Sequence, residues 1–142
     1  MSNRRQRVCI SNAPCDFRSV DQGVPQGSVL GQLPFNLCLS NLPELVTDCV
    51  AATLLLFADD KTLHAADTCA SAAAASVSGA LAAICNDLKH KGLAVHVHKT
   101  VSMIISLPSA KATCRVICNG ATLPLVREHH VLGVIIDDKL SW

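Results

Sequence analysis

The sequence predicts an α+β fold in which an antiparallel sheet carries helices packed on one side. An Ala-rich stretch at residues 70–90 has helical apolar spacing, strand-like apolar runs lie on both sides of it, and turn signals separate these segments. The 142 residues are 50% hydrophobic and 16% charged, a globular profile. With no visible repeat, linker or domain boundary, we expect one modest domain.

Strand character appears first at residues 7–10 and 17–20, and Asn12-Ala13-Pro14 between them predicts a turn. Residues 21–27 read as a loop. Ser28 is then the predicted N-cap of an apolar helix that runs through Leu39.

Two prolines mark that helical segment. Pro34 lies inside it, where it would cost about 3 kcal/mol in a regular helix interior. Leu42-Pro43 is predicted to end it.

The middle of the chain predicts a hairpin followed by the main helix. Residues 50–58 read as a buried strand and residues 61–65 as its return strand. Residues 70–90 form the clearest helix, with Gly92 as its C-terminal stop after Lys89, His90 and Lys91.

Three further strands are predicted at residues 101–107, 114–118 and 131–136. Asn119-Gly120 predicts a hairpin turn after the second of them. The scarcity of aromatics, with three Phe, one Trp and no Tyr, predicts marginal stability.

Charge and cysteine content narrow the function classes. The formal net charge is +1, and the Arg4, Arg5 and Arg7 cluster does not by itself indicate nucleic acid. No signal peptide is visible and the eight cysteines lack zinc-site spacing, so we expect reduced thiols in an intracellular protein, nuclear or cytoplasmic and not secreted. No stretch is apolar enough to predict a membrane span, residues 68–86 being too rich in Ala, Ser and Cys.

Adjacent carboxylates end the predicted buried strand, at Asp59 and Asp60. Two neighbouring carboxylates near a core repel each other and lose hydration, and a divalent cation such as Mg²⁺ relieves both penalties. The alternative is that the pair begins a solvated hairpin turn. On these residues alone the two readings are equally good.

A glycine-containing loop precedes them, Gly23-Val24-Pro25-Gln26-Gly27-Ser28-Val29-Leu30-Gly31. Its glycines permit positive φ, and it leads into a helix N-terminus that favours anions. For the loop by itself, a tight structural turn is the favoured interpretation. It is no Walker loop, because no Gly-Lys-Ser/Thr follows.

Taken together, this loop and the Phe57-Ala58-Asp59-Asp60 run about thirty residues later resemble motifs B and C of reverse transcriptases of the non-LTR retrotransposon kind, LINE or jockey-like. The segment Gly92-Leu93-Ala94-Val95 with Lys99-Thr100 is similar to motif D. The segment Val131-Leu132-Gly133-Val134 is similar to motif E. The likeness covers nearly the whole chain, residues 1–142.

The resemblance implies a partial right-hand polymerase palm that performs RNA-directed DNA synthesis by two-metal nucleotidyl transfer onto a primer 3′-OH. Its partners would be an RNA template, a DNA primer and a dNTP, with Mg²⁺ as cofactor. Asp59 and Asp60 would be catalytic metal ligands and Lys99 would lie near the triphosphate. Substrate and template contacts would fall to Gln26, Gly27, Phe57, Leu132 and Gly133.

The sequence also departs from the family pattern. The Asp of motif A, the fingers and the thumb are not recognisable in it, and Asp16 and Asp21 lie too close to the loop to be that Asp. Lys61 follows the carboxylates directly, where it could pair with Asp60, and His96 replaces the usual Asn. We therefore expect the chain to be inactive alone. The alternatives are a non-catalytic relic that binds nucleic acid or a partner, and an unrelated α+β domain.

Overall fold

The computed structural model describes residues 4–20, 23, 27, 29, 31–47, 52–105 and 114–141. The chain divides into two compact units, Met1–Leu39 and Ser40–Trp142. No boundary between these units was predicted.

The first unit begins with a long hairpin made of two ladders. β1 (Arg4–Gln6) pairs with β4 (Arg18–Val20), and between them β2 (Cys9–Ile10) pairs with β3 (Ala13–Pro14), all antiparallel. The loop residues Ser11 and Asn12 have φ of 47° and 65°. Positive φ at both positions is the pattern of a type I′ turn. The predicted strands are confirmed at Cys9–Ile10 and Arg18–Val20, but the turn lies at Ser11-Asn12, and Ala13-Pro14, predicted as turn, pairs as a strand.

A short helix, α1 (Gln32–Leu39), completes the first unit. Pro34 falls in its first turn, where a backbone N–H has no intrahelical acceptor, so the predicted interior penalty does not arise. The predicted cap Ser28 lies outside the described residues. Leu42-Pro43 begins a further helix, α2 (Leu42–Thr47), because proline also suits a first helical turn.

The second unit is built on a hairpin with helices on one side. β5 (Ala52–Phe57) pairs with β6 (Asp60–Ala65), and α3 (Ala70–His90) follows. Both α2 and α3 pack against this hairpin. The hairpin's inner face is half-buried, whereas Leu55 and Phe57 on its outer face are 57% and 63% exposed. The prediction that this strand is buried is therefore wrong for one face.

The main helix has the predicted bounds. Gly92, with φ of 71°, follows its C-cap, and the N–H groups of Gly92 and Leu93 donate to the carbonyls of Lys89 and Leu88 at 3.1 and 2.8 Å. These two bonds form a Schellman motif, which satisfies carbonyls that the helix end would leave without partners.

By length and composition alone α3 could also cross a membrane, contrary to the sequence expectation. Its most apolar window has a mean hydropathy of 1.2 and is 28% buried. Core helices pass the same test, and α3 buries one side against α2 and the β5–β6 hairpin. The composition is therefore weak evidence for a membrane span.

Two small hairpins lie towards the C-terminus. β7 (Ile117–Cys118) and β8 (Ala121–Thr122) are joined by Asn119-Gly120, as predicted. β9 (Glu128–Val131) pairs with β10 (Val134–Asp137). The predicted single strand at 131–136 is wrong, because Leu132-Gly133 forms the loop of this second hairpin.

The predicted strand at 101–107 is also wrong over its described part. Residues 101–105 make only an isolated bridge, Ser102 to Leu125. A short 3-10 helix, Val97–Lys99, precedes them.

The α+β class is confirmed, but the single antiparallel sheet is not. The described strands form five separate two-stranded sheets. One buried cluster, here the cysteine cluster, consists of Cys85, Cys118 and Leu123, with Leu81, Val95, Val97 and Val116 packed against it.

Candidate functional site

The two candidate carboxylates lie at the tip of the β5–β6 hairpin. Ala58 and Asp59 form its two-residue loop, and Asp60 opens β6 opposite Phe57. Ala58 has φ of 52°, a left-handed conformation that is costly for a residue with a Cβ. Both aspartates are exposed. The hairpin therefore presents two adjacent carboxylates to solvent at the end of an apolar strand.

Lys61 contacts this tip through the main chain. Its Nζ donates a hydrogen bond to the backbone carbonyl of Asp59 at 3.1 Å. Since successive strand residues alternate between faces, Lys61 and Asp60 point to opposite sides of the hairpin. The ammonium thus holds the loop from the half-buried face, while Asp60 lies on the outer face.

An exposed apolar surface continues from Asp60 along the outer face. The ladder register puts Phe57 opposite Asp60 and Leu55 opposite Thr62, all on one side of the hairpin. Phe57 was a predicted substrate contact, and its 63% exposure leaves its ring open next to the carboxylates.

The glycine loop belongs to the first unit. Gly23 and Gly27 have φ of 83° and 79°, and a Cβ added at either would meet no atom within 4 Å. The backbone conformation, and not crowding, is therefore what requires glycine. Gln26 lies outside the described residues. The meeting of this loop with Asp59 and Asp60 stays a prediction.

The other predicted residues occupy exposed positions. Lys99 is the last residue of the 3-10 helix, and no hydrogen bond or ion pair joins it to Asp59 or Asp60. Leu132 and Gly133 form the β9–β10 loop with φ of 50° and 86°, and Leu132 is 56% exposed. The predicted roles of all three residues stay predictions.

The donor set at the hairpin tip suits a cation that is bound together with substrate. Among the described residues, no group of three or more His, Cys, Asp or Glu side chains could hold a metal ion. Two carboxylates alone do not make a closed metal site. Mg²⁺, however, is usually held by one or two carboxylates with water and substrate phosphates, and Asp59 with Asp60 fits that arrangement.

A comparison with known protein families shows to which family this chain belongs. The family model for reverse transcriptase (RNA-dependent DNA polymerase) matches residues 5–136. The chain belongs to the reverse transcriptase family. The match includes the glycine loop, the Asp59-Asp60 hairpin and the Leu132-Gly133 loop. Membership implies a palm-like polymerase fold, with which the observed helices and small antiparallel sheets are consistent.

One curated relative covers the whole chain. It is the probable RNA-directed DNA polymerase from transposon BS of Drosophila melanogaster, which is 28% identical over 147 residues. The aligned region is 100% of this reverse transcriptase chain but 16% of the relative. The comparison with solved structures gave no significant match.

The position of Arg18 was not predicted. The N-terminal arginines were expected to be an ordinary solvated cluster, but the β1–β4 register places Arg18 opposite Gln6, on the face of the hairpin that carries Arg4. If the segments on either side of the Asn12 turn signal had been paired as a hairpin, this position of Arg18 would have been predicted.

Proposed function

We propose that this chain is the part of a non-LTR RNA-directed DNA polymerase that carries the paired carboxylates for nucleotidyl transfer. The observation that carries the proposal is the exposed Asp59-Asp60 pair at a two-residue hairpin tip within the family match. If Asp59 and Asp60 only formed a solvated turn, the strand that precedes them would not need to be apolar. The exposed Phe57 beside them gives a surface for a base or sugar.

In this proposal Asp59 and Asp60 hold Mg²⁺ jointly with the triphosphate of the incoming dNTP. The bound ions would neutralise the phosphates and stabilise the attacking and leaving oxygens of an in-line displacement. Lys61 fixes the loop through the Asp59 carbonyl, which limits the freedom of the carboxylates. Binding of the substrate is then favoured because less conformational entropy is lost at the tip.

The remaining predicted residues bind substrates. We propose that Gln26 and Gly27 lie against the nucleotide and RNA template, and that Lys99 lies near the triphosphate. Leu132 and Gly133 support the DNA primer end, since their loop is exposed and apolar at Leu132. We further propose an intracellular location, nuclear or cytoplasmic.

We also propose that the chain alone does not extend a primer. The family site draws on a further Asp, and among the described residues no third metal-binding side chain joins Asp59 and Asp60. The second candidate is a non-catalytic chain that binds nucleic acid or a partner. The exposed carboxylate pair favours the first candidate, because binding of a polyanion gains nothing from it.

Primer extension and cation binding test these proposals together. Primer extension on an RNA template with Mg²⁺ should be absent for the native chain, and extension that D59N abolishes would overturn the inactivity proposal. Mn²⁺ added with a dNTP should broaden the NMR amide signals of residues 58–61. That broadening should vanish in D59N and D60N and persist in the matched control D16N. Equal broadening in all four proteins would show that the hairpin tip binds no metal.

A further inference from the structure

The N-terminal hairpin carries a higher positive charge than the formal net charge of the whole chain indicates. Its described residues 4–20 contain four arginines and one aspartate, Asp16, a net charge of +3. The whole chain carries +1, so the rest of the chain is at −2. None of the four arginines forms an ion pair with a carboxylate among the described residues. We call residues 4–20 the basic hairpin.

The register divides the basic hairpin into two unlike faces. Arg4 and Val20 are paired, and both are half-buried. Arg5 and Ser19 form the next pair, on the opposite face, and both are exposed. Arg7 lies just after the end of β1, two residues beyond Arg5.

An arginine–aromatic contact extends the second face. The guanidinium of Arg7 lies 4.9 Å from the ring centroid of Phe17. Phe17 remains 56% exposed, so part of its ring is open to a further ligand. Arg5, Arg7, Phe17 and Ser19 together are called the open face.

We propose that the open face binds single-stranded nucleic acid. Arg5 and Arg7 contact phosphates, the Ser19 hydroxyl adds a hydrogen bond, and Phe17 with the Arg7 plane stacks on a base. Single-strand binding sites combine these same features, a positive surface that follows the backbone and aromatic rings that accept bases of any sequence. Arg18 is exposed on the opposite face, where it adds to the positive charge of the hairpin but is no part of the open face.

This inference deepens the proposed function, from which it takes RNA as the expected natural ligand. The binding itself involves neither Asp59 nor a metal ion. It can therefore be measured in EDTA, where failure of primer extension has no bearing on the result.

The test is fluorescence anisotropy of the full chain with a labelled 20-nucleotide RNA, with single-stranded DNA and with duplex DNA, each over a range of KCl. For single strands, log K falls with log[salt] by about 0.7 per phosphate contact. R5Q/R7Q should reduce that slope by about 1.4, twice this increment. F17L should weaken single-strand binding about fivefold or more with an unchanged slope, since stacking is not ionic.

A matched control removes two arginines elsewhere. Arg115 and Arg127 are exposed and belong to the second unit. R115Q/R127Q should bind nearly as the native chain does. R5K/R7K should retain the salt slope, because lysine also contacts phosphate as a point charge.

Several results would overturn the inference. One is an R5Q/R7Q slope equal to that of R115Q/R127Q, and another is an F17L affinity equal to that of the native chain. Duplex binding as tight as single-strand binding would contradict the stacking role. Circular dichroism checks folding, and should R5Q/R7Q not fold, F17L decides the question. Equal affinity for RNA and single-stranded DNA supports recognition of the shared backbone, whereas no measurable affinity for either removes the site.

Discussion

The Sγ atoms of Cys85 and Cys118 lie 3.7 Å apart inside the cysteine cluster, which joins α3 to β7. Cys118 is only 1% exposed and Cys85 is 8% exposed. Two cysteines that were expected only to be reduced thiols therefore contact each other between α3 and β7.

Replacing Cys118 with Ala should destabilise the chain. The change removes a buried sulfur and leaves a small cavity next to Cys85 and Leu123, at a cost of about 1–2 kcal/mol. Urea unfolding monitored by circular dichroism measures it. C9A is the control, since Cys9 is exposed, and it should change the free energy of unfolding by no more than about 0.5 kcal/mol.

Thiol modification should separate the cysteines into fast and slow classes. Burial, with a further contribution from the Cys118 thiol, raises the pKa of Cys85 to about 11. At pH 8 about one Cys85 in a thousand is then a thiolate, the reactive form. The exposed Cys9, Cys15 and Cys69 should react with an aromatic disulfide reagent first, and the hydrogen bond with Ser71 lowers the pKa of Cys69. In urea all eight cysteines should react at similar rates. Rapid labelling of Cys85 in the folded chain, located by mass spectrometry, would contradict the buried contact.

A polar triad should make stability depend on pH below about 4. Asp87 accepts from Asn41 Nδ2 at 3.0 Å and pairs with Lys91 Nζ at 2.7 Å, while Lys91 also donates to Asn41 Oδ1. The Lys91 hydrogen bond, joined by that of Asn41, lowers the pKa of Asp87 below its ordinary value.

Because the folded-state pKa is lowered, this contribution to stability is complete above the unfolded pKa of about 3.9 and is lost as pH falls through the folded value. The difference in free energy of unfolding between the native chain and D87N should thus shrink between pH 5 and pH 2. Urea titrations across that range measure it. A difference that is constant with pH would mean that the pair contributes through packing alone.

Two glycine-to-alanine substitutions, at Gly92 and Gly79, should change the free energy of unfolding in opposite directions. G92A places a Cβ at φ of 71° in the Schellman motif and should cost about 1–2 kcal/mol. G79A lies within α3, where an added Cβ meets nothing within 4 Å, and should gain about 0.5–1 kcal/mol. Thermal unfolding of the two variants side by side makes each the other's control.

The outer face of the β5–β6 hairpin should promote self-association. Leu55 and Phe57 are exposed, and the described strands leave this sheet with only two members. Exposed apolar strands with open edges favour pairing between chains. L55T should raise the monomeric fraction in size-exclusion chromatography, whereas T53S on the same face should not. An unchanged elution profile for L55T would locate any association elsewhere.

The sequence by itself determined those features that depend on neighbouring residues. The bounds of α3, the stop at Gly92, the Asn119-Gly120 loop and the Asp59-Asp60 hairpin are local, because spacing and turn chemistry decide them within a few residues. The family motifs belong to this class as well.

Only the tertiary structure decided the remainder. An apolar run does not show which of its faces a helix covers, so the exposure of Leu55 and Phe57 was invisible in the sequence. Strand register paired Arg18 with Gln6, and packing between distant segments brought Cys118 to Cys85. These relationships depend on contacts between residues far apart in the chain. The free energy of such contacts cannot be predicted from a local sequence pattern.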